Sequence, residues 1–421
     1  RRSAAPTLRE GGRGASAGAG GRRLRDGLFV AEVALSLVLL AGAGLMTRSM
    51  LALQATDPGF RPDGVLAVRL RMGGAAYDAP AARTALLERA ADALRALPGA
   101  VSASAVNAAP LSGDNMSSAF AVEGRDAAES EARRAETRAV LPGYFGAVRL
   151  PLVRGRDFTA AEARDTAARV AIVNEAMAAR WWPGEDPVGR RVSFGGGGPD
   201  APWRTVVGVA RDVRQQGLGR TPGEQAYLPF ASFARREMTL LVRTGCPPQA
   251  GGCDPAALAP AARRAVAALD AGLPLVEVET LTAVAHRSLW LQRLYGALFG
   301  AFAGAAVLLA TVGVYGVVAY AVAQRVRELG VRLAIDARRR VAAGLLLRDG
   351  VRLAALGLGA GLPLTLAATG ALRSTLHGVS PRDPLVLVGT VLVLGAATVL
   401  ASWLPARRAA RVDPVRALRA D

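Results

Sequence analysis

Side chains able to do chemistry are few in this chain, and their spacing narrows what they can do. Among 421 residues there are two cysteines, two histidines and 52 basic side chains, and every basic one is arginine. A phosphate cradle of the form G-x-x-x-x-G-K-[ST] needs its lysine to reach the β- and γ-phosphates, so these residues cannot themselves form a P-loop ATPase. His286 and Ser288 resemble part of a Ser-His-Asp set. No strand-to-helix elbow presents a serine nucleophile, however, and His286 stands where an apolar stretch begins. The glycine run from Gly195 to Gly198 lacks the G-x-G-x-x-G order that leads from a strand into a dinucleotide-binding helix. The chain reads as non-catalytic, with no cofactor and no metal of its own.

Cys246 and Cys253 lie in a Pro- and Gly-rich loop. Two thiols are too few for a zinc site and His286 is distant in sequence, so a disulfide is expected. Closing so short a loop contributes roughly 2–3 kcal/mol on a chain-entropy model, a local staple suited to an oxidising compartment.

What positions these residues is set by apolar runs. A mean hydropathy of +0.25 beside a charged fraction of 20% is unusual for one soluble globule, so the apolar residues must be concentrated. Four runs stand out: Leu28 to Met46, Leu294 to Ala323, Val351 to Leu372 and Pro384 to Leu404. Each is near or above the ~20 residues a helix needs to cross a ~30 Å hydrocarbon layer. The first outruns the ~7–15-residue core of a signal peptide and is followed by a poor cleavage site, so it is expected to remain as a helix. Arg22, Arg23 and Arg25 precede it; Arg325, Arg327, Arg332, Arg338, Arg339 and Arg340 lie between the second and third runs; Arg407, Arg408 and Arg411 follow the fourth. A net charge of +18 would suit nucleic acid, but clusters on one side of apolar spans follow the positive-inside rule instead. No nucleic-acid partner is expected.

This topology places both ends in the cytoplasm and assigns the chain as follows. Residues 1–27 form a basic linker, 28–48, 294–323, 349–372 and 384–404 the spans, and 324–348 and 405–421 a cytoplasmic loop and tail. Residues 49–290 lie outside the cytoplasm. Gly296, Gly300 and Gly304 in the second span, and Gly357 and Gly361 in the third, recur every fourth residue. Such stripes let helix backbones approach closely, either within the chain or at a dimer seam. Glu32, about one turn inside the first span, is expected to pair with Arg22 or Arg25 or to snorkel, with a proton relay as the alternative.

The outer region changes to short β-like runs and Ala-rich helices. Val65 to Leu70 alternates as a strand, Ala81 to Leu97 has helical spacing and Val101 to Val106 is a second strand. The same order returns in Met238 to Arg243, Ala256 to Leu269 and Pro274 to Val278, so the two units are expected to pair. Between them, residues 118–231 read as an inserted β-rich subdomain, with strands at Phe120–Glu123, Arg138–Val140, Val170–Val173, Arg190–Phe194 and Arg204–Val209. Gly195 to Gly198 mark a hairpin end. The fold class is thus membrane α-helical with four spans and an α+β extracytoplasmic domain.

One helix, a large outer domain and three more helices with a basic loop and tail resemble the MacB/FtsX-type permeases of ABC systems, the mechanotransmission or type VII class. The specific stretches are Val312 to Ile335, Val379 to Pro384 (VSPRDP) and Ala401 to Leu418, with Val173 to Val192 and Val206 to Val213 in the outer domain. A still closer similarity is to duplicated orphan permeases of acidobacterial type, with Thr7 to Gly14 resembling the joint before a second module. The resemblance implies a permease of the bacterial inner membrane, driven by a separate ABC ATPase that holds ATP and Mg. It implies a second permease module, as homodimer or fused repeat, and leaves room for a periplasmic partner. In the family the segment after the second span touches the ATPase, which carries over to Arg325, Arg327, Glu328, Arg332 and Ile335. The same arginines would also hold that segment inside by topology alone. Asp336-Ala337 stands where the family has Gly-Ala. Efflux, a signalling scaffold that regulates a cell-envelope enzyme, and a structural half-module are the functions this likeness allows.

Overall fold

The computed structural model describes residues 14–125, 133–194, 201–233, 235–245, 254–334 and 339–409, with side chains over 24, 26–316, 319 and 351–403 of those ranges. In chain order the elements are α1 (Gly14–Gln54), β1 (Val65–Arg71), α2 (Pro80–Arg95), β2 (Ala100–Val106), β3 (Ser117–Val122), β4 (Arg134–Val140), α3 (Tyr144–Val148), β5 (Leu152–Gly155), α4 (Ala160–Arg164), β6 (Val170–Asn174), α5 (Glu175–Trp181), β7 (Arg191–Phe194), β8 (Trp203–Ala210), β9 (Gln225–Pro229), β10 (Glu237–Thr244), α6 (Ala259–Leu269), β11 (Leu275–Thr280), α7 (Leu281–Arg287), α8 (Trp290–Ala334), α9 (Arg339–Ala371) and α10 (Pro384–Ala409). They form two units, Arg1–Gln54 with Leu291–Asp421, and Ala55–Trp290.

Among the described residues, four helices carry apolar segments long enough to cross a membrane: Asp26–Gln54, Trp290–Gly316, Val351–Ser374 and Pro384–Trp403. Helix α1 is their hub. Phe29, Val33 and Leu37 recur every fourth residue, which puts them on one face, and they pack with Val314, Leu394 and Ala401. One turn and more further along, Leu45 and Met46 join Leu376 and Val386. Lipid gives no hydrophobic drive between helices, so the backbones must come close enough for dispersion to act. Glycine allows it: a Cβ added to Gly357 would lie 2.6 Å from Val33 Cβ, and one on Gly361 2.9 Å from Ala34 Cα. On α1 itself, Gly42 and Gly44 stand in the same relation to Phe299 and Val386, at 3.0 and 2.8 Å. At Gly296, Gly300 and Gly304 a Cβ would meet no described atom within 4 Å.

The second unit begins as a four-stranded sheet in the order β11-β1-β10-β2, every neighbour antiparallel. Helix α2 connects β1 to β2 and α6 connects β10 to β11, so two strand-helix-strand units interleave as split βαβ motifs. Leu66, Val68 and Leu70 of β1 and Leu240 and Val242 of β10 pack against Leu86, Leu87 and Leu94 of α2 and Val266 of α6. Alternate residues of a strand share a face, so one side of this sheet is apolar because its sequence is.

A single residue pair, Val106 with Val140, passes from β2 to β4. From there β4-β3-β7-β8-β6-β9 closes on itself because β9 returns to pair with β4, in parallel from Glu136 with Gln225 to Val140 with Pro229. The result is a six-stranded barrel whose core holds Phe120, Ala135, Val173, Val192, Val206 and Leu228, with Trp181 of α5. Two strands of this region, β9 in the ring and β5 paired to the outside of β8, lie outside the strands expected from sequence. β5 is four residues with three exposed, and β9 is a wholly buried run that ends in proline. The expected hairpin end at Gly195 to Gly198 lies outside the described residues, while β7 and β8 on either side of it pair antiparallel.

The close approach of α9 to α1 has a measurable consequence. Gly361→Leu must push against the Ala34 backbone and is expected to destabilise the folded chain by roughly 1–3 kcal/mol, the usual cost of overpacking. Gly300→Leu, made into open space, is expected to cost less than about 0.5 kcal/mol. Thermal unfolding of both variants in the same detergent compares them, and equal losses would contradict the packing described.

Candidate functional site

Two polar junctions hold the elements that the family-like stretches supply. In the barrel, Asn174 ends β6 and caps α5, because its extended backbone leaves the side chain free to accept from Met177 N at 3.1 Å. The same carbonyl oxygen accepts from Gln225 N at 2.8 Å. Its amide nitrogen donates to Asp212 Oδ1 at 2.6 Å and to the Gly223 carbonyl at 2.8 Å. Asp212 Oδ1 also accepts from Ala176 N at 2.9 Å, and Asp212 N donates to Glu175 Oε2 at 3.2 Å. Burial pushes the Asp212 carboxyl above the usual aspartate range, and the Ala176 bond works against that. One buried asparagine thus ties β6, α5, the segment after β8 and the start of β9 together. The two outer stretches singled out in the sequence, Val173 to Val192 and Val206 to Val213, meet at this point.

The second junction joins α1 to the link before α10. Asp383 precedes Pro384, the first residue of α10, and its Oδ1 accepts from Leu385 N at 3.0 Å and Val386 N at 3.4 Å. An acidic N-cap followed by proline at the first helical position is a strong start signal. Arg48 of α1 forms an ion pair with Asp383, with side chains 43% and 13% exposed. Beside it, His377 N donates to Ser49 Oγ at 2.9 Å. The VSPRDP stretch is therefore a helix start clamped to the end of α1.

Glu32 of α1 lies against α8, where a Cβ at Gly313 would be 2.7 Å from its Oε2; the side chains of Arg22 and Arg25 are outside the described ones. Arg325, Arg327, Glu328 and Arg332 fall on the helical backbone of α8, without described side chains, and Ile335 lies outside the described residues. Cys246 and Cys253 also lie outside the described residues. His286 and Ser288 sit at the end of α7, where Ser288 Oγ donates to the Ala285 carbonyl at 2.7 Å. Among the described residues no three of His, Cys, Asp and Glu are grouped to hold a metal ion. Sequence reasoning passed over Asn174, Asp212, Arg48 and Asp383 as individual residues. Asn174 and Asp383 carried a readable signal, an Asn or Asp directly before a helix.

Comparison with known proteins places these parts. Residues 33–252, more than half of the chain, match the MacB-like periplasmic core domain, and residues 300–414 match the FtsX-like permease C-terminal region. The chain belongs to the MacB/FtsX-type permeases of ABC transporters. Among its relatives, the pyoverdine export ATP-binding/permease protein PvdT of Pseudomonas putida is 27% identical over 289 residues, covering 64% of this chain and 41% of the relative. The macrolide export ATP-binding/permease protein MacB of Azoarcus sp. is 25% identical over 304 residues, covering 70% of this chain and 44% of the relative. MacB of Shigella boydii is 36% identical over 108 residues, covering 25% and 17%. The chain thus spans about two fifths of the length of the first of these relatives. The crystallised periplasmic region of MacB from Actinobacillus actinomycetemcomitans aligns at 14% identity and a TM-score of 0.36, covering 56% of this chain and 97% of that one.

This MacB/FtsX-type permease is a multi-pass inner-membrane protein, and its unit Ala55–Trp290 is the large periplasmic or extracytoplasmic part. In that domain Asn174→Ala removes a helix cap and leaves Gln225 N and the Gly223 carbonyl unmet, so it is expected to lower stability by roughly 2–4 kcal/mol. Chemical denaturation of the full chain in detergent, followed by tryptophan fluorescence, measures it; a loss under about 0.5 kcal/mol would refute the lock. At the link of this permease, Asp383→Ala is expected to cost about 1–2 kcal/mol through the cap. Asp383→Asn keeps an N-cap acceptor and loses only a partly exposed ion pair, less than about 1 kcal/mol. Thermal melts that rank the two variants the other way round would overturn the assignment.

Proposed function

We propose that this permease module couples nucleotide binding by a separate ABC ATPase to movement of its periplasmic domain. One observation carries the reading: a family match across both the outer domain and the returning helices, in a sequence that contains no lysine to build a phosphate cradle. PvdT of Pseudomonas putida and MacB of Azoarcus sp. are ATP-binding/permease proteins of which this chain spans about two fifths, in keeping with an ATP-binding part outside these residues.

Helix α8 supplies the route. Beyond Ala323, where its apolar run ends, its backbone stays helical to Ala334, a further rod of about 16 Å at 1.5 Å per residue. Arg325, Arg327, Glu328 and Arg332 ride on that rod, with Ile335 just after it, and the arginines suit an acidic groove on the ATPase. ATP and Mg bind in that partner. A second permease module, as homodimer or fused repeat, completes the assembly, and the open glycine stripe of α8 offers it a seam. Closure of the ATPases then turns α8 as a rigid body and carries the outer domain with it. Because that domain meets an oxidising compartment, a Cys246–Cys253 disulfide belongs to the same proposal. The export names of the relatives favour expulsion of a cargo over a signalling role.

The experiment is co-purification with candidate ABC ATPase subunits in lipid. The wild-type chain is expected to raise the ATPase rate of its own partner at least threefold. Reversing Arg325, Arg327 and Arg332 to glutamate together should abolish that gain while leaving the chain folded and inserted. If no subunit responds to the wild-type chain, the coupling proposal fails.

A further inference from the structure

Residues 211–224 run from β8 to β9 without a helix or strand of their own. A connection of that length is uncommon inside a compact domain and is commonly functional. Polar bonds hold it in one shape. At its ends Asn174 donates to the Gly223 carbonyl at 2.8 Å and accepts from Gln225 N at 2.8 Å, while Gln225 Nε2 donates to the Val213 carbonyl at 2.5 Å. Along its length Arg214 N donates to the Pro58 carbonyl at 3.0 Å, and the Gln215 carbonyl accepts from Leu111 N at 3.1 Å. Within it Arg214 Nη1 donates to the carbonyls of Leu218 and Arg220 at 3.0 and 2.6 Å, and Arg220 N donates to that of Gly217 at 3.1 Å. The loop is a built wall.

Together with the starts of β3 and β4 it bounds a cleft of about 470 Å³, lined by Arg134, Arg214 and Arg220. That volume lies within the ~300–1,000 Å³ range of small-molecule sites. Each of these arginines is fixed by only part of its donor set. Arg134 uses Nε on Ser117 Oγ at 2.9 Å and Nη2 on the Ser117 carbonyl. Arg214 uses Nη1 on the two loop carbonyls, and Arg220 uses Nη1 on Gln216 Oε1 at 2.5 Å. A guanidinium carries N–H donors on all three nitrogens in a rigid fork. Among the described residues, Nη1 of Arg134 and both Nε and Nη2 of Arg214 and Arg220 therefore remain open. Arg134 and Arg220 are exposed, so a solute can reach them from the open side.

The charges of the lining select the occupant. Of its two carboxylates, Glu224 pairs with Arg133 at 2.7 Å and Arg180 at 3.5 Å. Glu136 is buried, takes a hydrogen bond from Gln216 and has its charge opposed by Arg138 and Arg220. Both acids are thus answered by their own arginines, and Arg134 and Arg214 add a surplus that repels cations. Val213 and Pro222 are the apolar side chains of the lining, which gives a greasy molecule little to pack against. A carboxylate brings one charge and two oxygens, enough for a single guanidinium fork. A phosphate monoester brings close to two charges at pH 7 and three strong acceptor oxygens, which suits three arginines with open donors. The cleft is far larger than a phosphate group, and Ser117, Gln216 and Thr221 give hydroxyls on an attached body something to bond. We propose that this cleft binds a small organic phosphate monoester with a hydroxyl-bearing body, its phosphate held by Arg134, Arg214 and Arg220.

The test reads binding without nucleotide, so its result is separate from that of the ATPase experiment. The purified full chain in phosphatidylcholine nanodiscs is titrated by calorimetry with α-glycerophosphate, ribose monophosphate and mannose monophosphate, beside glycerate, inorganic phosphate and sulfate. At least one monoester should bind saturably, with glycerate, inorganic phosphate and sulfate each at least tenfold weaker. Arg220→Gln, which leaves the backbone carbonyl that holds Arg214 in place, and Arg134→Gln should each weaken binding at least tenfold; either variant that melts like wild type carries the test. Arg263→Gln, at an exposed position on α6 away from the cleft, removes the same charge and should bind like wild type. The proposal is overturned if none of the three monoesters binds, or if glycerate, inorganic phosphate or sulfate binds as tightly as the best of them. It is equally overturned if a folded Arg220→Gln or Arg134→Gln binds like wild type, or if Arg263→Gln loses as much affinity as they do, since the effect would then be one of overall charge.

Discussion

Backbone donors and acceptors that are buried or lie in lipid have to be met without water, and that constraint decides both halves of the structure. Within lipid an unmet peptide group costs several kcal/mol, which leaves helices as the way for a single strand of chain to cross. Outside the membrane a strand edge left to water is a template for pairing with the wrong partner. The outer domain deals with this in two ways. Four strands interleave so that each unit completes the other, and six strands close into a ring. The parallel return of β9 to β4 is the bond set that removes the barrel's edges.

Once the backbone is met, buried polar side chains fix where elements stand. Asn174 and Asp383 each begin a helix and tie that start to a distant segment. Arg243 of β10 does similar work for a loop, donating to the carbonyls of Ala147, Asp63 and Arg61 at 2.5, 3.0 and 2.7 Å. Apolar packing is tolerant of small slips, whereas these bonds require one geometry.

The parts legible in sequence were those in which one residue type repeats at a fixed period. Four apolar runs with arginine on one side announced the membrane helices, and alternation in Val65 to Leu70 announced a central strand whose apolar side is covered by helices. The fold class followed from those patterns. β5 and β9 escaped because a four-residue strand is too short to show a period, and because Gln225–Pro229 is buried on both faces and ends in proline. The polar locks escaped for another reason. A single Asn or Asp has the same composition in a loop as in a buried junction, and only the meeting of residues 174, 212, 223 and 225 in space gives it its role.

The strand order also has a consequence for how the molecule comes into being. β1 and β2 are separated in the sheet by β10, whose residues follow the whole barrel in the chain. As synthesis proceeds, the barrel residues are all available before β10 appears. The first-made strands must wait beside α2 with open edges until the last part of the outer domain emerges. The closing of a loop from residue 71 to residue 237 is therefore the late, slow event of assembly. During that interval the nascent domain is most in need of protection from its neighbours.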